Sequence, residues 1–171
     1  MLQIQGRLSL KPLGDYIAQS LTLIHMRSQT ERSLGVEVAV SYLNHNIGMA
    51  RAAVDEAGMV FAVFFVNGPT PAGVVYLHIS AHDAIIPRFK TQYALFQEYV
   101  DLLFSLGCSK IVAELPQHYR IRIKMVELQG FLLESVLADE WLYNGQLVDT
   151  YRYGLLRKHY EPGRSRLQQS K

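Results

Sequence analysis

Five side chains in the middle of this sequence could carry acid–base chemistry: His78, His82, Asp83, Glu114 and His118. Imidazoles and carboxylates take or give protons near neutral pH when their surroundings tune them. His82 and Asp83 lie in AHDAIIPRFK at 81–90, and Glu114 lies in KIVAELP at 110–116. Two cations, Arg88 and Lys90, stand beside a predicted helix start, where unpaired amides and the helix dipole favour an anion. Either can meet phosphate by charge. Arg120, Arg122 and Lys124 beside Tyr119 form a second basic stretch, but a solvated helix face explains them better than nucleic-acid contact. No Ser/His/Asp set, metal-ligand cluster or Gly-rich phosphate loop competes with these groups.

The elements that must position them can be read from periodicity. Alternation at 7–13 predicts a half-buried strand, ended by Pro12-Leu13-Gly14. Ile17, Leu21 and Ile24 then share a helical face over 15–32, and Val36, Val40, Leu43, Ile47, Ala50 and Val54 predict a second helix running to Gly58. The β-branched and aromatic runs at 59–66 and 72–79 should form an antiparallel hairpin turned by Asn67-Gly68-Pro69. A short strand is expected at 83–86, stopped by Pro87. Helix returns at 91–106 with Phe96, Tyr99, Val100 and Leu103 inward and Gly107 as its left-handed cap. A central strand at 110–116, a helix at 119–129 and two strands at 131–141 and 147–156, joined through Tyr143-Asn144-Gly145, complete the order.

Composition narrows the class. The 171 residues carry 17 basic and 15 acidic side chains, a formal net charge of +2, so no strong field gathers nucleic acid or an anionic membrane. A hydrophobic share of 49% suffices for one continuous core, expected over 1–160, with 161–171 a mobile polar tail. The single cysteine, Cys108, cannot form an internal disulfide. A reducing compartment is expected. The longest apolar stretch, MVFAVFFV at 59–66, is too short to span a bilayer, and the N-terminus lacks a secretory pattern. A soluble, cytoplasmic protein is therefore expected, with a virion location as the alternative.

The stretch LGCSKIVAELPQHYRIRIKMVELQGFLLESVLADEWLYNGQLVDTYRYGLLRKHY at 106–160 resembles the GNAT superfamily of N-acetyltransferases. It is most similar to the subgroup that acetylates protein N-termini, ribosomal proteins included. The resemblance rests on Leu106-Gly107, Pro116 and His118, Glu127 with Gly130-Phe131, Glu134, Asp139-Glu140-Trp141, Asn144-Gly145, Asp149 and Tyr153-Gly154-Leu155-Leu156. Most of these read as scaffold: Gly130 as a helix cap, Phe131 and Trp141 as core, Asn144-Gly145 as a turn. The resemblance implies an α+β, three-layer fold with a mixed, mostly antiparallel central sheet, about four flanking helices and a C-terminal β-hairpin.

It also implies acetyl-CoA, or another acyl-CoA, held where the fourth and fifth strands part, with its pyrophosphate on the following helix. The family's loop there reads Gln/Arg-x-x-Gly-x-Gly/Ala. Aligned with it, Ile86 takes the Gln/Arg place, Phe89 the first small position and Thr91 the second, so the loop departs from the pattern towards bulk. The implied cofactor contacts are Ile86, Arg88, Phe89, Lys90, Thr91 and Gln92, with Tyr119 at the family's usual Asn and Arg122 at a small or hydroxyl position. The family's thiolate-protonating tyrosine is Val126 here. Glu114, His82 and Asp83 are the candidate catalytic residues for acyl transfer to an amine of a protein or small molecule. The alternative is a catalytically inactive GNAT-fold binding or assembly protein, phage or virion associated, with no CoA if the cleft is filled. Assembly, including homo-oligomers, would then use the final hairpin and tail.

Overall fold

The structure, a computed structural model, describes residues 3–31, 36–85, 88–143 and 145–161. In chain order the elements are β1 Ser9–Pro12, α1 Ile17–Glu31, α2 Val36–Asn46, β2 Arg51–Val54, β3 Val60–Asn67, β4 Val74–Ala81, α3 Phe89–Ser105, β5 Lys110–Pro116, α4 Arg120–Leu128, β6 Leu132–Tyr143 and β7 Gln146–Leu156. The seven strands form a sheet in the order β1-β2-β3-β4-β5-β7-β6. The β1/β2, β2/β3, β5/β7 and β6/β7 ladders are antiparallel and β4/β5 is parallel. This is the mixed, mostly antiparallel sheet with four helices expected from the sequence.

The chain divides into two units, one formed by residues 1–67 and 78–102, the other by 68–77 and 103–171. In the first, β3 (VFAVFFVN) is buried on both faces. Leu23 and Ile24 of α1 and Ala39 and Leu43 of α2 join Val63 and Phe65 in one apolar cluster. On the opposite face Phe64 meets Tyr99 of α3, ring centroids 5.2 Å apart. Alternation along β3 thus feeds two helix layers, which is why its apolar run is continuous. Phe96, Tyr99, Val100 and Leu103 are all buried, as the period of α3 predicts.

The predicted second helix is a correction. It stops at Asn46, and 51–54 is strand β2 instead. Asn46 donates its side-chain amide to Tyr42 O (3.3 Å) and to Val66 O of β3 (3.2 Å), closing the helix. Ala50, Ala52, Ala53 and Val54 are buried, so the small apolar run satisfies helical and strand periods alike, and only sheet pairing decides. Ile47, assigned to the buried helical face, is 45% exposed, and Ile17 is exposed where Ser20, Leu23 and Ile24 turn inward. Residues 83–85 form a turn rather than a strand, and Ile86 and Pro87 lie outside the described residues.

Past β2 the chain bends around Asp55. Burial opposes the charge of its carboxylate, but amides of Gln5 (2.9 Å), Met59 (2.9 Å) and Ala57 (3.0 Å) donate to it and hold its pKa below the ordinary value. A lowered folded pKa contributes stability that is present above the unfolded pKa and lost as pH falls through the folded one, below about 4. Asp55→Asn should therefore cost about 1–3 kcal/mol at neutral pH, because its new amide donor faces the Gln5 amide. Urea titrations across pH check this: the variant's stability should change less between pH 6 and the acid limb than the parent's.

In the second unit β4 pairs with β5 only over Val74–Leu77 with Lys110–Ala113, and β5 runs on to Pro116. All seven β5 residues pair with β7, and β7 continues into the hairpin with β6. Gly107 takes φ +94° after α3, and the Cys108 amide closes back on Leu103 O at 3.2 Å, the cap the sequence predicts. Gly154 serves a close approach: a Cβ there would meet the Glu134 carboxylate, which crosses it to bind Lys110 at 2.7 Å. Trp141, expected in the core, is only half-buried because β6 ends the sheet order. The expected tail falls outside the described residues from 162 onward, as does Asn144 of the hairpin turn.

Candidate functional site

The first unit brings together the α3 start and the residues before it. His82 accepts the Ala84 amide on Nδ1 at 3.0 Å, and its backbone amide donates to Phe61 O at 2.8 Å. In that tautomer Nε2 carries the proton. The ring meets Phe61 edge-on, 6.0 Å between centroids. Asp83 is exposed in the same turn. His78 lies between Phe65 and Tyr42, at 5.3 and 5.4 Å, on the α1/α2 side of β4.

Helix α3 begins at Phe89, two residues earlier than its periodicity suggests, so Phe89 and Lys90 belong to its first turn. Among the described residues, Gln92 is the first whose amide reaches back to a carbonyl four residues earlier, Arg88 O at 3.0 Å, so the amides of Phe89, Lys90 and Thr91 stand at the head of the helix. Gln92 also ties the turn down, donating Nε2 to Ile85 O at 3.0 Å. Arg88 and Lys90 are exposed and, among the described residues, make no ion pair. With Thr91 they line a pocket of about 310 Å³ to which the N-terminal segment adds Arg7. Arg7 is a residue that sequence reasoning missed: it sits more than eighty positions away, and only tertiary folding places it beside α3. The half-buried ring of Phe89 lies along its own helix over Tyr93, 6.2 Å between centroids and 24° apart. Three amides at the head of the helix and cations that make no ion pair among the described residues are a chemical match to a diphosphate.

The second unit carries the other sequence-predicted residues. Glu114 is the first β5 residue beyond the β4 ladder. It lies opposite Arg152 of β7, whose Nε and Nη2 both donate to its Oε1, at 2.8 and 2.6 Å. That hydrogen bond raises the Arg152 pKa further. Arg152 was missed because cross-strand register, not sequence proximity, makes the pair. Tyr119 precedes α4 and is capped by the Arg122 guanidinium at 4.5 Å from its ring. His118 stacks on Tyr143 at 3.7 Å and meets Tyr119 edge-on at 4.3 Å.

Two further groups bear on proton transfer. Tyr153 is buried and donates its hydroxyl to Glu127 Oε1 at 2.8 Å. Burial first, and that carboxylate second, push its pKa up to about 12. Burial likewise raises the Cys108 thiol, keeping it protonated and unsuited to nucleophilic attack. Val126, at the place of the family's proton-donating tyrosine, is buried in α4.

No family model and no curated protein sequence matches this chain. Solved structures do. A spermidine N-acetyltransferase from Vibrio cholerae in complex with CoA and spermine superposes with a TM-score of 0.69 at 17% identity, covering 89% of this chain and 96% of its own. A GCN5-related N-acetyltransferase from Kribbella flavida gives a TM-score of 0.72 at 18% identity, covering 87% of this chain and 97% of its own. With the strand order and helix placement above, these likenesses show that the chain has the GNAT fold.

Proposed function

We propose that this protein is an N-acyltransferase that moves an acetyl or other acyl group from acyl-CoA to a primary amine of a protein or small molecule. The observation that carries the reading is the start of α3, where the amides of Phe89, Lys90 and Thr91 stand at the head of the helix with Arg88 and Lys90 beside them, exposed and making no ion pair among the described residues. Bound acyl-CoA supplies the activated thioester. Arg88 and Lys90 neutralise its diphosphate and the amides orient it, while Arg7 extends the cationic lining. Gln92 holds the turn in place through Ile85.

Glu114 takes the proton from the acceptor ammonium. Its Oε1 is occupied by Arg152, which leaves Oε2 for the amine or an intervening water. In His82, Nδ1 already accepts the Ala84 amide, and Asp83 is its exposed neighbour. The acceptor class has two supports. The resemblance of 106–160 points to protein N-termini, and the Vibrio cholerae neighbour, solved with spermine, points to small polyamines. Titration calorimetry with acetyl-CoA tests the reading, and an absence of both heat and thermal stabilisation at millimolar ligand would overturn it.

A second reading, a GNAT-fold binding protein without catalysis, is favoured by one residue, Phe89, whose ring replaces a small side chain of the family's loop. Replacing Phe89 and Thr91 together by Gly separates the two. If bulk alone limits access, acetyl-CoA affinity should rise roughly tenfold, about 1.4 kcal/mol, against a stability cost of about 1 kcal/mol per glycine. Unchanged affinity would favour the non-catalytic reading.

A further inference from the structure

Outside the residues given a role above, the second unit has an open groove of about 800 Å³ beside α4. Arg120, Ile123, Lys124 and Glu127 of α4 form its wall, and Tyr151 of β7 contributes from the sheet. Strand alternation puts Leu147 on the same sheet face as Tyr151. Register adds Val136 opposite Tyr151, Leu133 opposite Tyr153 and Leu142 opposite Leu147. Leu133, Val136, Leu142 and Leu147 are 52, 49, 39 and 59% exposed. Scattered exposed apolar side chains are ordinary, but four in register on one face of a terminal hairpin form a patch of the kind that marks an interaction site.

The charge on the wall identifies what fits there. Among the described residues Arg120 and Lys124 make no ion pair, and they stand one helical turn apart. Two acids nearby are engaged: Glu127 accepts the Tyr153 hydroxyl, and Asp149 accepts the Asp139 amide at 3.3 Å. The surface therefore offers cations that make no ion pair among the described residues, beside the exposed apolar face of the hairpin. A helix with leucines on one face and carboxylates along its flank satisfies both features, lying on the sheet beside α4 at the usual helix spacing.

We propose that this groove docks an acidic amphipathic helix of a partner protein. The test uses the full chain and two dye-labelled synthetic helical peptides of the same leucine pattern, one carrying glutamates and the other lysines, followed by fluorescence anisotropy. The glutamate peptide should bind at least about tenfold more tightly than the lysine peptide, and the preference should shrink as salt rises. Lys124→Glu should abolish the preference, and Val136→Asp should weaken the glutamate peptide by about tenfold or more, with both variants melting like the parent because these positions are exposed. Equal binding of the two peptides, or no binding, overturns the proposal. So does sedimentation showing a dimer that Val136→Asp dissolves, which would make this face a contact between copies. Acetyl-CoA titrations of the same variants should be unchanged, so failure here is distinguishable from failure of the acyltransferase reading.

Discussion

Glu114→Gln is expected to lower kcat/KM for acyl transfer by about 10² to 10⁴, the usual range for removing a positioned general base. Glutamine keeps the size and the acceptor oxygen that Arg152 uses, so β5 and β7 should remain in register. Both partners of the pair are more than a third exposed, and such pairs contribute at most about 1 kcal/mol. The melting temperature should therefore hardly move while the rate collapses. Acetyl-CoA affinity should stay at the parental value, since Glu114 is not among the residues proposed to hold the diphosphate. An unchanged kcat/KM would remove Glu114 from the reaction and leave His82 and Asp83 as the remaining candidates.

Reversing both charges at the α3 start, Arg88→Glu with Lys90→Glu, is expected to raise the Kd for acetyl-CoA by about a hundredfold or more. Each lost charge-assisted contact is worth about 1.5 kcal/mol or more, and two of them reach that figure before repulsion is counted. The apo protein should fold as before, because the two side chains are exposed and make no ion pair among the described residues. Glutamates in the first turn even suit the helix dipole, so a stability change in the same direction as the binding loss is not expected. Calorimetry reads the effect without reference to turnover, which separates binding of the cofactor from the fate of Glu114. A Kd within a factor of three of the parent's would show that the diphosphate does not rest on this helix.

The sequence was informative wherever one periodicity stood alone. The inward face of α3 and the boundaries of β5 follow from three- and four-residue steps and from a continuous apolar run with clear stops. It failed at 47–54, where small apolar residues suit a helix and a strand equally and the deciding interaction is the pairing of β2 with β1 and β3. Trp141 was misplaced for a related reason: hydrophobic character predicts burial only if a layer exists to cover it, and β6 is the last strand of the sheet. At the candidate site the residue types were legible and their partners were not. Arg88 and Lys90 stand together in the chain, but Arg7 joins them only through packing of the N-terminal segment.

The amino-acid order by itself determined the helix and strand types over most of the chain, the cap at Gly107 and the cationic start of α3, because these depend on local periodicity, backbone freedom and neighbouring charge. Tertiary structure alone decided that Glu114 faces Arg152, that the β4 ladder releases β5 one residue earlier, and that Tyr151 shares a face with the exposed leucines of the hairpin. Those facts are set by strand register, and register is a property of two segments far apart in the chain whose pairing no local pattern specifies.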